Sequence, residues 1–167
     1  MTGTLRAASA VADTHCAIEP ACEADLPACV ALLAAHAVGT RVGAEAPDLA
    51  PYLAVFRRMA ASDRVTLYVA RLPGMEPGEI AGMFELTVLR GLSFAGRPRA
   101  QVESVHVEAR CQRRGVGQAM MAFAEQRARD LGCVLVQLTS NRERAGAHAF
   151  YAALGYDSSH LGFKKML

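Results

Sequence analysis

Apolar and polar positions change period several times along the chain, and each change marks an element. Leu26, Val30, Leu33 and Ala37 recur at three- and four-residue steps, the spacing of one helix face. Asp25 is the expected N-cap and Pro27 suits the first turn, so the first helix is predicted over 25–37. Before it, Cys16, Ala17 and Ile18 form a short strand, and 20–24 turns the chain. Segment 38–46 holds two glycines and reads as loop. Leu49, Tyr52, Leu53 and Phe56 share one side of a second helix over 48–61. From 65 to 72, β-branched and aromatic residues predict a strand. A Pro-Gly-rich turn at 73–78 and a strand at 79–89 complete a hairpin. Gly91, Gly96 and Pro98 mark another turn, and 99–108 is the next strand.

A longer helix then runs to about 131 with Val116, Met120, Phe123 and Leu131 as its apolar stripe, stopped by Gly132. Segment 134–139 is nearly all apolar, as in a buried strand. A polar loop at 140–144 leads to a helix over 145–154 that turns Phe150 and Leu154 inward and stops at Gly155. The stretches 156–160 and 163–167 are expected to pair as a terminal hairpin. No repeat or low-complexity tract occurs. Strands come first as a meander and then alternate with helices, which predicts an α/β or α+β fold around one mixed sheet.

Composition narrows the class. The chain has 167 residues, 52% hydrophobic and 20% charged, enough for one folded domain over 14–167 behind a flexible lead-in at 1–13. A net charge of +2, with its basic residues scattered, argues against a nucleic-acid partner. No apolar run approaches the roughly 18 residues of a membrane span. Segment 1–13 holds one arginine and no apolar core, so no secretory signal is expected. The five cysteines are odd in number and form no Cys-x-x-Cys, which fits a reducing cytoplasm rather than a disulfide framework. No Cys or His pairs sit at zinc-ligand spacing, so no metal is expected.

Candidate chemistry begins at Gln112-Arg113-Arg114-Gly115-Val116-Gly117-Gln118-Ala119. This turn follows a predicted strand and opens a helix. The first N–H groups of a helix lack intrahelical partners, and its dipole adds partial positive charge there. Gly115 and Gly117 have no Cβ to keep a phosphate from the backbone. Arg113 and Arg114 reach phosphates or form a solvated basic turn. The Gly-Lys-Ser/Thr ending of a P-loop is missing, which argues against a nucleotide triphosphate site.

Gln112, Gly115 and Gly117 match the Q/R-x-x-G-x-G/A signature, and with it the chain resembles the GNAT family of N-acetyltransferases. The strand from Ala100 to Val107 precedes the signature, Leu138-Thr139-Ser140-Asn141 follows it, and 147–156 carries the family's Phe-Tyr pair and Gly-aromatic ending. The resemblance covers 65–167 well, and the first helices match in placement. The tail from Ser158 is similar to that of bacterial small-molecule members. The resemblance implies a mixed central sheet of six to seven strands with about four helices, splayed at the cofactor between 99–108 and 134–139. Acetyl-coenzyme A is the implied co-substrate. Its pantetheine would run along the backbone of Val105, His106 and Val107, its pyrophosphate would sit on Arg113 to Gln118, and Asn141 and Tyr151 would contact it. Members often dimerise through their C-terminal strands, and the apolar residues of 161–167 would allow a homodimer here.

Transfer of an acetyl group to an amine requires removal of an ammonium proton, a donor for the departing thiolate, and N–H groups for the oxyanion. Glu103 aligns with the family's strand glutamate and is the candidate base. Strand alternation places it with Gln101, Val105 and Val107 and places His106 on the opposite face. Its other reading is a surface carboxylate or ion-pair partner. Tyr151 is the candidate acid, since a phenol of pKa about 10 can protonate a thiolate. Its other reading is a ring packed beside Phe150. Asn141 is alternatively a turn cap. His148, three residues before Tyr151, could tune it. Cys111 and Cys133 lack an activating histidine and read as structural thiols. The expected function is acetyl transfer from acetyl-coenzyme A to a primary amine of a small molecule. The alternatives are a non-catalytic acyl-coenzyme A sensor and acetylation of a protein or peptide amine.

Overall fold

The computed structural model describes residues 16–166. The expected lead-in at 1–13 lies outside the described residues. In order, the elements are β1 (Ala17–Pro20), α1 (Leu26–Ala35), α2 (Ala50–Ala60), β2 (Val65–Arg71), β3 (Gly82–Leu89), β4 (Arg99–Val107), α3 (Val116–Asp130), β5 (Val136–Leu138) and α4 (Ala145–Ala153). The strands form one sheet in sequence order. Its first three junctions are antiparallel and β4–β5 is parallel. The fold is the mixed α+β arrangement expected.

Alternation along β2 and β3 feeds two cores, one on each face. Tyr68, Ala70, Phe84 and Leu86 pack under α3 with Val116, Met120, Met121 and Ala124. Leu67, Val69 and Met83 pack under α1 with Leu26, Cys29 and Leu32, and Leu53 and Phe56 of α2 join them. Cys111 is buried in the first core. A carboxylate is buried with the second. Asp25 is 1% exposed. It starts α1 as expected, yet its carboxylate does not cap that helix. It accepts from the Cys22 N–H at 2.9 Å and from Arg71 at 2.6 Å. Arg71 also donates to Glu19 and to the Glu79 carbonyl, so one guanidinium ties β1, β2 and α1 together. Burial alone would raise the Asp25 carboxyl, but the Cys22 and Arg71 hydrogen bonds outweigh it and hold the carboxyl below its usual range.

Four expectations need correction. Among the described residues the sheet has five strands, not six or seven. The terminal hairpin is not formed over its described residues: nothing between Leu154 and Met166 is a strand. Leu161, Phe163 and Met166 are 85%, 91% and 77% exposed, so that tail buries no apolar face to hold a strand pair. Pro20, expected in a turn, ends β1 opposite Tyr68, a place open to proline because β1 is the sheet's edge.

The fourth correction is a bulge in β4. Glu103 stands opposite Glu85 and His106 opposite Met83, so Ser104 and Val105 together face Phe84. Ser104 takes a left-handed φ of 52° to make it. The extra residue reverses the inward–outward phase of everything after it. Val105 and Val107 therefore pack on the α3 side, with Phe150 and Tyr151. Glu103 does not share their face. His106 does share the face of Glu103, the α1 side, where it stacks on His36 with ring centroids 5.1 Å apart.

Candidate functional site

The site begins where β4 and β5 part. They pair through Ala100–Val136, Gln101–Gln137 and Val102–Leu138, and not beyond. Below the fork, Gln137 donates to Gln101 at 2.7 Å and closes the pair. Past it, Glu103 to Val107 has no partner strand on the β5 side among the described residues, so backbone groups there are open to an extended ligand.

The turn before α3 sits at the end of this fork. Arg113 and Gly115 have φ of 57° and 80°, and Gly115 is the N-cap. Glycine is needed there because the left-handed region penalises a Cβ. Among the described residues no side chain caps the helix start, which leaves the N–H groups of Val116, Gly117 and Gln118 to an external acceptor. Gly117 is small for another reason. A Cβ on it would stand 3.2 Å from Phe150 Cζ, so it lets α4 close against α3. Gln112 turns its amide back to the Val107 carbonyl at 3.3 Å and so holds the end of β4.

On the α4 side, Tyr151 is half-buried between Phe150 and Tyr156, with ring centroids at 5.2 Å and 6.0 Å. Burial pushes its phenol above the ordinary value, and Arg144 nearby opposes the rise. Asn141 does the work of a turn cap: its Oδ1 accepts from the Glu143 N–H at 2.9 Å. His148 lies 2.9 Å from the Asn141 carbonyl and pins that turn, rather than pairing with Tyr151.

On the α1 side, the structure gathers residues that the sequence reading passed over. Glu85 is directly across from Glu103. Burial, and then the Glu103 charge, push the Glu85 carboxyl up, while Arg41 and the Ser104 hydroxyl pull it down. Arg41 pairs with Glu45 at 2.8 Å, and the Tyr52 hydroxyl donates to the other Glu45 oxygen at 2.8 Å. Arg144 donates to the His36 carbonyl. His106 is 5% exposed and its Nε2 has no hydrogen-bond partner among the described residues. Burial first, then the nearby His36, Arg144 and Arg41, lower its pKa to about 4, so the ring is neutral at physiological pH. Glu85 had one signal in the sequence, a lone carboxylate in an apolar strand. His36, Arg41 and Arg144 had none, because they come from separate loops and helix ends.

Comparison with known proteins agrees with this layout. The profile of the acetyltransferase (GNAT) family matches residues 33–156. Aminoalkylphosphonate N-acetyltransferase of Salmonella typhimurium is 33% identical over 90 residues, 54% of this chain and 58% of that protein. The match therefore spans less than two thirds of that relative. A transcriptional regulator from Bacillus halodurans C-125 is 31% identical with a TM-score of 0.82, covering 92% of this chain and 100% of that one. A putative acetyltransferase from Agrobacterium tumefaciens str. C58 is 25% identical with a TM-score of 0.75, covering 90% of this chain and 99% of that one. A strand fork closed by an uncapped helix start, matched along most of its length by that profile, places the chain in the acetyltransferase (GNAT) family.

Proposed function

We propose that this protein is an N-acetyltransferase that passes the acetyl group of acetyl-coenzyme A to the primary amine of a small molecule in a ternary complex. One observation carries the reading: the fork between β4 and β5 opens toward an uncapped α3, with a carboxylate on one face and a phenol on the other. The N–H groups from Arg113 to Gln118 fit a pyrophosphate, and the open backbone of 105–107 fits a pantetheine amide chain. The Salmonella relative is named as an N-acetyltransferase, which favours nitrogen as the acceptor atom. Among the described residues no helix is long and apolar enough to cross a membrane, and the reading places the protein in the cytoplasm, where acetyl-coenzyme A is available.

In this mechanism, the acceptor ammonium loses a proton to Glu103, directly or through water. The neutral nitrogen attacks the thioester carbonyl, a C–N bond forms, and backbone N–H groups of β4 receive the oxyanion. Collapse breaks the C–S bond, the Tyr151 hydroxyl protonates the thiolate, and the second proton shed by the acylated nitrogen passes through solvent to the phenolate. Burial holds the phenol above its ordinary pKa, so it is in its protonated form when the thiolate departs.

Calorimetry with acetyl-coenzyme A and a thiol-release screen against amines test the reading. Absence of binding, with binding to a nucleotide instead, would sink it. Glu103→Gln is expected to lower kcat/KM roughly 100-fold and to remove the acid limb of its pH profile. An unchanged profile removes Glu103 as the base.

A further inference from the structure

We propose that the acceptor carries two charges. Its amine is received between Glu85 and Glu103, and an anionic group is received by Arg41, Arg144 and the Nε2 of His106. This rests on the N-acetyltransferase reading and adds the chemistry of the acceptor to it.

The acidic end is set by the sheet. Glu85 and Glu103 are cross-strand partners on the α1 side. Like charges directly opposite each other destabilise a strand pair, so their placement calls for a cation between them. Arg41 is the guanidinium whose charge acts on Glu85, and it is already held by Glu45. An ammonium supplies what this pair lacks, at the place where the proposed base must meet it.

The basic end is set by the bulge. Were β4 regular, His106 would face α3. The extra residue turns it toward α1, against His36. His36, Arg144 and Arg41 all stand close enough to act on its charge, and Glu45 alone acts in the other direction. Both Glu45 oxygens are already taken, by Arg41 and Tyr52. The cluster thus has a surplus of positive groups and a surplus of donors. A guanidinium has five N–H groups. Arg144 gives one bond to the His36 carbonyl, and Arg41 one to Glu45. The buried Nε2 of His106 has no partner among the described residues. A buried nitrogen left unpaired costs about 1–3 kcal/mol and is normally satisfied by water or ligand. A carboxylate or phosphate group in this place meets the arginines, and its hydroxyl or ordered water meets the imidazole.

Glu85 and Met83 lie two residues apart on one face of β3, opposite Glu103 and His106, so the two ends adjoin and the molecule that spans them is short. The Arg144 charge also acts on Tyr151, the acid of the proposed transfer step. A plain amine leaves the basic cluster without a counter-charge. A polyamine is worse, since its second cation faces the arginines; that repulsion is where selectivity arises.

The test is a matched acceptor series with acetyl-coenzyme A and the whole chain: propylamine, putrescine, beta-alanine and phosphoethanolamine. The two acid-bearing amines are expected to exceed propylamine in kcat/KM by about tenfold or more, the scale of one charge-assisted hydrogen bond. Beta-alanine against phosphoethanolamine distinguishes a carboxylate from a phosphate. Arg41→Gln, at a half-exposed position, is expected to raise KM for the acid-bearing amines and bring that ratio toward one. Calorimetry of the four amines with coenzyme A-saturated protein gives a readout without turnover. Propylamine or putrescine preferred over both acid-bearing amines overturns the proposal and leaves acetyl transfer standing. So does a coenzyme A-saturated protein that binds neither acid-bearing amine. Failure of acetyl-coenzyme A itself to bind overturns the underlying reading instead.

Discussion

On one side of β4, the candidate site is made of backbone: forked strands, a left-handed glycine and the free N–H groups of a helix start. On the other side it is made of side chains: Glu85, Glu103, His106, His36, Arg41 and Arg144, drawn from two strands, a helix end and two loops. Under the proposed function, the backbone side takes any acyl-coenzyme A, because peptide groups do not depend on residue identity, and the side-chain side tells one amine from another. On that proposal, cofactor recognition and acceptor choice rest on different physics and are separable by mutation.

The largest effect should come from cutting the frame of the side-chain face. Arg71→Leu leaves Asp25 buried without its cation, a loss of about 3–5 kcal/mol measurable by urea unfolding. Stability equal to wild type would mean that α1 is not held by this pair. His106 offers a pH-dependent break of nearly the same size. Its pKa falls from 6.5 to about 4 on folding, so the unfolded chain takes up a proton that the folded one refuses. The stability is fully present above pH 6.5 and is lost as pH falls toward 4. At about 1.4 kcal/mol per pH unit, the whole window is worth about 3 kcal/mol. His106→Phe is expected to flatten that part of the Tm–pH curve; an unchanged slope would mean the ring titrates freely.

Two smaller changes probe the other face. Tyr151→Phe is expected to lower kcat roughly 100-fold, with acetyl-coenzyme A affinity by calorimetry little changed. A fully active variant would remove Tyr151 as the acid. Gly117→Ala pushes a methyl to within 3.2 Å of Phe150, an overpacking cost of about 1 kcal/mol. If chemical denaturation shows no loss, α4 is free to move away, and the contact does not fix the position of Tyr151.

The backbone side was the more legible in sequence for a physical reason. A left-handed turn and a helix start require glycine at Gly115 and a change of hydrophobic period after it, and both are local. The four helices and five strands were all expected, with ends displaced by a few residues. The bulge had no such mark. Ser104 takes a positive φ that serine does not announce, and one extra residue was enough to send His106 to the wrong face in any reading by alternation. The terminal hairpin failed for the opposite reason: local apolar content at Leu161 and Phe163 suggested strands, and no face is present to receive them.

Resemblance to the GNAT family supplied Glu103 and Tyr151 as candidates; by itself, the sequence determined the order and type of the four helices and five strands and the phosphate-sized turn at 112–118. These depend on period, glycine placement and short-range spacing, which a linear chain carries. Only the tertiary structure decided that Glu85 meets Glu103, that His106 turns to His36, and that Arg41 and Arg144 close on them. Those contacts join residues up to 108 positions apart, as Arg144 and His36 are, and a charge has no partner until the fold supplies one.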